Sequence, residues 1–489
     1  MGLLNTLTVR QAAEKLEQGA CRSEDLVRAV LDARDARDGV IRGYLRVDAE
    51  AALADARRAD AERAAGRRGR LLGVPVAVKD ILNVAGQSCG CGSKILEGYV
   101  APYDATAIAR LRAEGAIFLG RTNMDEFGMG SSNENSAYGP TRNPWDTARV
   151  PGGSSGGSAA VVAADLALCA LGSDTGGSVR QPASFCGCTG LKPSYGRVSR
   201  YGLTAYASSL DQVGPLAKDV ADAALLLGLM AGADPRDSSS VDAPVGDYAA
   251  ACAAGVKGMR LGLPKEYFVN GLEPAVERAI QEAISQFRAL GAEVREVSLP
   301  HTAVAIPTYY IIATAEASAN LARFDGVRYG NRAAGAEDVL DMYGQTRAQG
   351  FGPEVKRRII LGTYVLSSGY HDAYYVKAQQ VRTLIRRDFE EAFKSCDALL
   401  APVAPTAAYR LGEKTADPLQ MYLGDIFTVP ASLAGICGLS IPCGFTPDGL
   451  PVGLQVLGPA FGESALFRAG GAFQAATDWH QRRPGKGAA

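Results

Sequence analysis

The chain has 489 residues, 51 of them basic and 52 acidic, for a net charge of −1 with 47% hydrophobic residues. This composition is typical of a globular protein with a large core, and the near-neutral charge excludes a chain that is basic throughout, as many nucleic-acid-binding proteins are. The most apolar stretch, Ala159–Leu171, contains Asp165 and is too short to cross a bilayer, and no basic, apolar leader is recognised, so a cytoplasmic location is expected.

The first third of the chain is predicted to alternate helices with short buried strands. Residues 1–65 are expected to be a helical segment packed on the core, with Thr8 and Ser23 as N-caps. The valine-rich run Leu71–Lys79 favours a buried strand that ends at Lys79. A helix is expected next, then a second strand and a polar, glycine-bearing loop, at residues 105–114, 116–119 and 128–139.

Two runs rich in glycine and serine follow, Pro151–Ser158 and Gly172–Arg180. The first leads into a predicted helix, and an apolar segment connects it to the second. Short helices and strands around glycine turns favour an α/β fold with a mixed sheet and a site built on loops, in a single domain of residues 1–489. Later elements are expected as helices at 272–293 and 370–395, strands at 398–402 and 439–442, and a frayed tail at 482–489.

The serines of these runs are candidate nucleophiles, because glycine lets backbone N–H groups approach a substrate and stabilise an oxyanion. A serine hydrolase also needs a base, and the only histidines, His301, His371 and His480, lie far away in the sequence. Lys79 is a candidate base, since burial lowers the pKa of an amine and can leave it uncharged.

Three other interpretations of these runs remain open. Gly152–Gly156 also fits the G-x-S-x-G nucleophile elbow, which would require one of the distant histidines. Gly152–Ser158 also fits a loop that cradles phosphate in a small-molecule kinase. Finally, Gly-Gly-Ser is a common turn and N-cap, which leaves a non-catalytic scaffold possible.

Taken together, Lys79, Gly152–Ser158 and Gly172–Pro182 resemble the amidase signature family, as does the separation of 24 residues between Ser154 and Ser178. The resemblance implies a mixed β-sheet flanked by helices on both faces. It also implies a Ser-cisSer-Lys triad, in which Ser178 is the acylated nucleophile and Ser154, after a cis peptide, relays a proton to Lys79. The oxyanion hole is implied at the amides of Thr175, Gly176, Gly177 and Ser178.

Four later segments are similar to the A subunits of glutamyl-tRNA(Gln) amidotransferases within that family: Glu316–Gly330, Glu354–Ile360, Gly369–Tyr375 and Tyr422–Pro430. This resemblance implies hydrolysis of glutamine, with Arg358 at its carboxylate, Asp425 at its ammonium group and Tyr309 lining the pocket. It also implies a heterotrimer with B and C subunits, in which a partner uses ATP and Mg²⁺ and carries most of the tRNA contact, and no cofactor or metal in this chain.

A stand-alone amidase acting on small amides is the alternative within the same family. Whether Asp-tRNA(Asn) is also amidated stays open. The arginine-rich segment Arg57–Arg70 is interpreted as a solvated helix end and loop, and the ten cysteines as free thiols.

Overall fold

The computed structural model describes residues 3–268 and 271–485, and the eleven strands in these ranges form one sheet. In chain order the strands are β1 Tyr44–Val47, β2 Pro75–Lys79, β3 Ile117–Thr122, β4 Cys169–Asp174, β5 Thr189–Lys192, β6 Gln212–Ala217, β7 Arg260–Pro264, β8 Glu293–Val297, β9 Ala398–Pro402, β10 Cys437–Phe445 and β11 Pro451–Gly458. Their order across the sheet is β1-β3-β2-β4-β6-β5-β10-β11-β9-β7-β8.

The sheet is mixed, as predicted. Strand β2 runs parallel to β3 and β4, and β7 runs parallel to β8 and β9, whereas the other neighbours are antiparallel. All residues of β2, β3 and β4 are buried, which is typical of parallel strands covered on both faces. The C-terminal end of β2 therefore delivers Lys79 into the interior.

The helices in chain order are α1 Val9–Glu17, α2 Ser23–Ile41, α3 Ala49–Ala64, α4 Thr106–Ala113, α5 Gly156–Ala163, α6 Arg180–Cys186, α7 Val220–Met230, α8 Tyr248–Ala253, α9 Pro274–Ala289, α10 Ala305–Leu321, α11 Val339–Gly350, α12 Pro353–Leu366, α13 Lys377–Ser395, α14 Pro418–Leu423, α15 Val429–Ala434 and α16 Glu463–Ala476. Short 3₁₀ turns lie at Leu4–Thr6, Lys94–Leu96, Glu126–Gly128, Lys265–Tyr267, Pro300–Val304 and Trp479–Gln481. A π-helical turn, Asp372–Val376, precedes α13. The helices flank the sheet in a single α/β domain.

The sequence prediction for residues 1–65 is wrong at two places, residues 44–47 and the N-cap at Ser23, and confirmed for the N-cap at Thr8. Residues 44–47 form β1, because they pair with the edge of β3, a contact between distant segments that the local pattern does not reveal. Thr8 caps α1 in a capping box with Gln11. Ser23 is the first residue of α2 rather than its N-cap, and its hydroxyl donates to the carbonyl of Gly73 at 2.8 Å.

The predicted strands at residues 398–402 and 439–442 are confirmed, the second as part of β10. The predicted helix at 272–293 corresponds to α9, and the one at 370–395 to the π turn followed by α13. Of the predicted frayed tail, residues 482–485 are in neither helix nor strand, and 486–489 lie outside the described residues. Within the described ranges, no helix combines the length and apolar character needed to span a membrane.

Helix α5 grows directly out of the first serine run and is buried along its whole length. Its first turn contains only small residues because it packs against backbone. A Cβ at Gly157 would lie 2.5 Å from both the nitrogen and the oxygen of Asn123. Glycine therefore lets the helix start lie against the chain that follows β3, and this contact fixes the serines just ahead of it.

Candidate active site

The Lys79 amine lies at the centre of a group of serine oxygens. Its side chain is fully buried at the end of β2, and Nζ lies 2.7 Å from Ser154 Oγ and 2.9 Å from Ser155 Oγ. Ser173 Oγ is 3.0 Å away, and the Ser173 carbonyl oxygen is at 3.3 Å. An uncharged amine has two N–H donors and one lone pair, so it can accept a proton from one of these hydroxyls while donating to the others.

Burial lowers the pKa of Lys79 to about 7, although the carboxyl groups of Asp125, Asp174 and Asp211 oppose this effect. Burial also raises the pKa of Asp125 to about 7, which weakens its opposition at neutral pH. Near neutrality a substantial fraction of the amine is therefore uncharged and available as a base, unlike a lysine in water.

The two serine runs lie against each other. The peptide between Gly153 and Ser154 is cis, and the Gly153 N–H donates to Oε1 of Gln181 in α6 at 2.9 Å. The Ser155 N–H donates to the carbonyl oxygen of Ser178 at 3.1 Å. Ser178 keeps 8% of its surface exposed. The structure thus brings together Lys79, Ser154 and the segment that carries Ser178.

The two glycines before Ser178 have neighbours so close that a side chain would not fit. A Cβ at Gly176 would lie 2.8 Å from the ring of Tyr309, and one at Gly177, which has a φ of 141°, would overlap the Thr428 hydroxyl. That hydroxyl donates to the Gly176 carbonyl oxygen at 2.6 Å. The peptide planes are therefore held in place from the side of α15.

The four amides predicted to form the oxyanion hole differ in their availability. The Gly177 N–H donates to Asp174 Oδ1 at 2.8 Å, and the Asp174 carboxylate is in turn held by Arg180. Among the described residues, no protein acceptor is found for the N–H groups of Thr175, Gly176 and Ser178. Of the four amides, the one at Gly177 therefore has a protein acceptor in Asp174 and the other three do not.

Arg358 lies on the inner face of α12 and is only 2% exposed. Its Nε donates to Glu354 Oε1 at 2.8 Å, and its Nη1 donates to the Tyr206 hydroxyl oxygen at 2.6 Å. The rings of Tyr206, Tyr310 and Tyr422 surround the guanidinium at 5.2–5.6 Å. Burial opposes its charge, but the tyrosine and glutamate oxygens raise the pKa of Arg358 well above its usual value. The site therefore contains a permanent buried cation.

Asp425 lies in the turn after α14 and accepts a hydrogen bond from Ser131 Oγ. Burial raises its pKa to about 7, and Arg358 and the serine hydroxyl oppose the rise. The same turn reaches the serine run, because Thr428 Oγ1 lies 3.1 Å from the Asp425 carbonyl oxygen and also contacts Gly176. Thr428 thus connects Asp425 to the glycine run, the ring of Tyr309 lies beside Gly176, and the charge of Arg358 acts on Asp425.

Several residues of this site escaped the sequence analysis. Ser155 and Ser173 lie inside the two serine runs, and Glu354 and Tyr422 lie inside the segments that carried the resemblance. Their motif positions were visible, but their contacts with Lys79 and Arg358 were not. Asp125 carried no signal of its own.

The alternative interpretations gain no geometric support. In the part of the chain that the structure describes, no serine of these runs is hydrogen-bonded to the ring of His301, His371 or His480, and the side chain that contacts Ser154 Oγ is Lys79. The Gly152–Ser158 run is buried throughout and packs on protein. A loop that binds phosphate needs N–H groups that a ligand can reach. All ten cysteines are free thiols, as predicted, and within the described ranges no group of three metal-ligating side chains is found.

Comparison with known proteins agrees with this geometry. The family model described as Amidase matches residues 25–467. The chain is 59% identical to the A subunit of the glutamyl-tRNA(Gln) amidotransferase from Geobacter sp. (strain M21), with 98% of each chain covered.

Two solved structures share the architecture. The A subunit of the Thermotoga maritima glutamyl-tRNA(Gln) amidotransferase is 41% identical, with a TM-score of 0.81 over 97% of this chain and 95% of that one. A bacterial aryl acylamidase of the amidase signature family is 25% identical, with a TM-score of 0.86 over 97% of each chain. With a buried lysine beside Ser154 and a family model that spans most of its length, this chain belongs to the amidase signature family.

Proposed function

We propose that this chain is the glutamine-hydrolysing A subunit of a tRNA-dependent amidotransferase, with the active site described above. The observation that carries the proposal is the presence of a buried guanidinium, Arg358, whose charge acts on a buried carboxyl group, Asp425, next to the second serine run. A free amino acid has one carboxylate and one ammonium group, and these two side chains complement both. A small apolar amide has no charged group to contact either side chain.

Acylation begins at Ser178. Its oxygen attacks the side-chain carbonyl carbon of glutamine, while its proton passes through the Ser154 hydroxyl to the uncharged amine of Lys79. The negative charge that develops on the carbonyl oxygen is stabilised by the free amides of Thr175, Gly176 and Ser178. The proton then returns to the leaving nitrogen, the C–N bond breaks, and ammonia departs from a γ-glutamyl ester on Ser178.

Deacylation uses the same groups in reverse. Water attacks the ester carbon, its proton passes through Ser154 to Lys79, and the proton finally returns to the Ser178 oxygen as the ester bond breaks. The sum is glutamine and water to glutamate and ammonia. Lys79 has to be uncharged at the start of each half, which its pKa of about 7 allows.

The ammonia is proposed to pass to a partner subunit that activates Glu-tRNA(Gln) with ATP and Mg²⁺ and amidates it. The high identity to A subunits over nearly the whole chain supports this assignment. B and C subunits would then complete a heterotrimer in the cytoplasm, with most of the tRNA contact outside this chain. Asp-tRNA(Asn) remains a second acceptor to test.

The experiment uses Ser178→Ala in the complex of the chain with its partners. We expect glutamine-dependent amidation to disappear and ammonia-dependent amidation to persist, because only the supply of ammonia needs the acyl-enzyme. Ser285→Ala, at an exposed position of α9, is the matched control and should change neither activity. Loss of both activities in Ser178→Ala would contradict the proposal, and hydrolysis of apolar amides faster than glutamine would favour the stand-alone amidase.

A further inference from the structure

Glu126 is a buried carboxyl group that the proposed mechanism does not use. It begins the 3₁₀ turn Glu126–Gly128 and is 2% exposed. Its Oε1 accepts a short hydrogen bond from Ser93 Oγ, and its Oε2 accepts one from the Gly352 N–H at 2.8 Å. Burial raises the pKa of Glu126 to about 7, so the group is costly to keep in place without a role.

The bond to Gly352 anchors the start of α12. In a capping box, the third residue of a helix accepts a hydrogen bond from the N–H of the N-cap residue. Gly352 is the N-cap of α12, and the third helical residue is Val355, which has no acceptor in its side chain. Glu126, 226 residues away in sequence, supplies the missing acceptor.

Gly352 also fits this contact sterically. An added Cβ would overlap Glu126 Oε2, although the backbone angles of Gly352, φ −74° and ψ 171°, are ordinary for any residue. The absence of a side chain at this position is therefore explained by the approach of Glu126 and not by the backbone conformation.

Helix α12 carries the arginine of the candidate pocket within two turns of this anchor. Glu354 is its second residue, and Glu354 Oε1 accepts hydrogen bonds from Arg358 Nε at 2.8 Å and from the Tyr422 hydroxyl at 2.6 Å. A movement of the helix start would therefore move Glu354 and Arg358 together.

The segment that contains Glu126 also contacts the first serine run. Asp125, adjacent to Glu126, donates its N–H to the Ser154 carbonyl oxygen at 3.2 Å. Ser131, further along the same loop, donates to Asp425. The segment 125–131 thus contacts the serine run, the start of α12 and the candidate ammonium-binding carboxylate.

We propose that Glu126 is a positioning residue for glutamine binding, which holds the start of α12 so that Arg358 lies at the correct distance from Ser178. This inference rests on the proposed function, because it assigns Arg358 to the substrate carboxylate. Glu126 itself does not touch the substrate, and its effect passes through the helix.

The test compares Glu126→Leu with the unaltered full-length chain in its complex. Leucine has a similar volume but no acceptor, so the Gly352 N–H and the Ser93 hydroxyl both lose their partner at Glu126. We expect KM for glutamine to rise roughly tenfold with kcat within about threefold, since binding of the carboxylate is weakened while the catalytic groups stay in place. Hydrolysis of a primary amide that lacks the α-carboxylate should be unchanged.

A double variant separates positioning from general stability. In an Arg358→Lys background, where the carboxylate contact is already impaired, adding Glu126→Leu should raise KM by less than about twofold. Equal fold-changes in both backgrounds, or equal losses on glutamine and on the amide without a carboxylate, would overturn the inference.

Gly352→Ala provides a second route should Glu126→Leu fail to fold. It leaves the carboxylate intact but displaces it, and we expect the same rise in KM for glutamine. Gly344→Ala in α11, where an added Cβ meets no atom within 4 Å, is the matched control and should not change KM. An unchanged KM in Gly352→Ala would overturn the inference. The proposed function is tested separately, by Ser178→Ala in the complex.

Discussion

Replacing Gly177 by alanine tests whether the glycine run directs its amides at the reacting carbonyl. Gly177 has a φ of 141°, which L side chains rarely adopt, and an added Cβ would overlap the Thr428 hydroxyl. The same hydroxyl holds the Gly176 carbonyl oxygen at 2.6 Å. The methyl group must therefore displace Thr428 or rotate the peptide, and either movement turns the neighbouring amides.

The expected magnitudes follow from these contacts. The positive φ costs about 1–3 kcal/mol, and the hydrogen bond from Thr428 contributes about 0.5–1.5 kcal/mol. We therefore expect the free energy of unfolding to fall by about 2–4 kcal/mol. Misdirecting one oxyanion donor should lower kcat roughly 100-fold. KM should change less, because the charged side chains of the pocket still hold glutamine.

The assay measures ammonia release from glutamine per active serine, counted with a covalent serine-directed probe, together with unfolding in urea. Gly449→Ala is the matched control, since Gly449 has a φ of 80° but an added Cβ there meets no atom within 4 Å. The control should lose about 1 kcal/mol of stability and keep its kcat. A folded Gly177→Ala variant with kcat within about threefold of the unaltered chain would refute the reasoning.

Three further predictions concern the base, the pocket and the thiols. Because protonated Lys79 cannot accept a proton, kcat at saturating glutamine should fall about tenfold per unit as pH drops below about 7 and level off above it, in pH-rate measurements; a flat profile across this range would contradict the role. Arg358→Lys should raise KM for glutamine roughly 10–100-fold, since lysine cannot make the forked contact with a carboxylate; an unchanged KM would remove Arg358 from the pocket. Thiol titration after denaturation without reductant should find all ten cysteines reduced, and a pair of missing thiols would reveal a disulfide.

The parts of the fold that depend on local pattern could be predicted from the sequence. The valine-rich run before Lys79 indicated β2, because a short apolar run ending in a charged residue suits a buried strand. By contrast, β1 could not be found, since Tyr44–Val47 is short and is stabilised by pairing with β3, which lies beyond α3, β2 and α4 in the chain. Strand pairing of this kind is decided by partners that are distant in sequence.

The site shows the same division. The serine runs and Lys79 were recognisable because their residue types carry chemistry at a characteristic spacing. The hydrogen bond from the Gly177 N–H to Asp174 could not be predicted, because it depends on the orientation of the Asp174 carboxylate, which Arg180 holds. Similarly, the sequence indicates an arginine at position 358 but not the three tyrosine rings and the glutamate that enclose it.

The groups proposed to break the amide bond lie between residues 79 and 178, whereas those proposed to recognise glutamine lie between 309 and 425, on α10, α12 and the turn after α14. The two sets meet at Gly176, which touches both Tyr309 and Thr428. Substrate-recognising residues can therefore change during evolution while the residues that break the amide bond stay the same. Selectivity for a new amide would then require changes at a few late positions in the chain, and a designer seeking one should randomise there first.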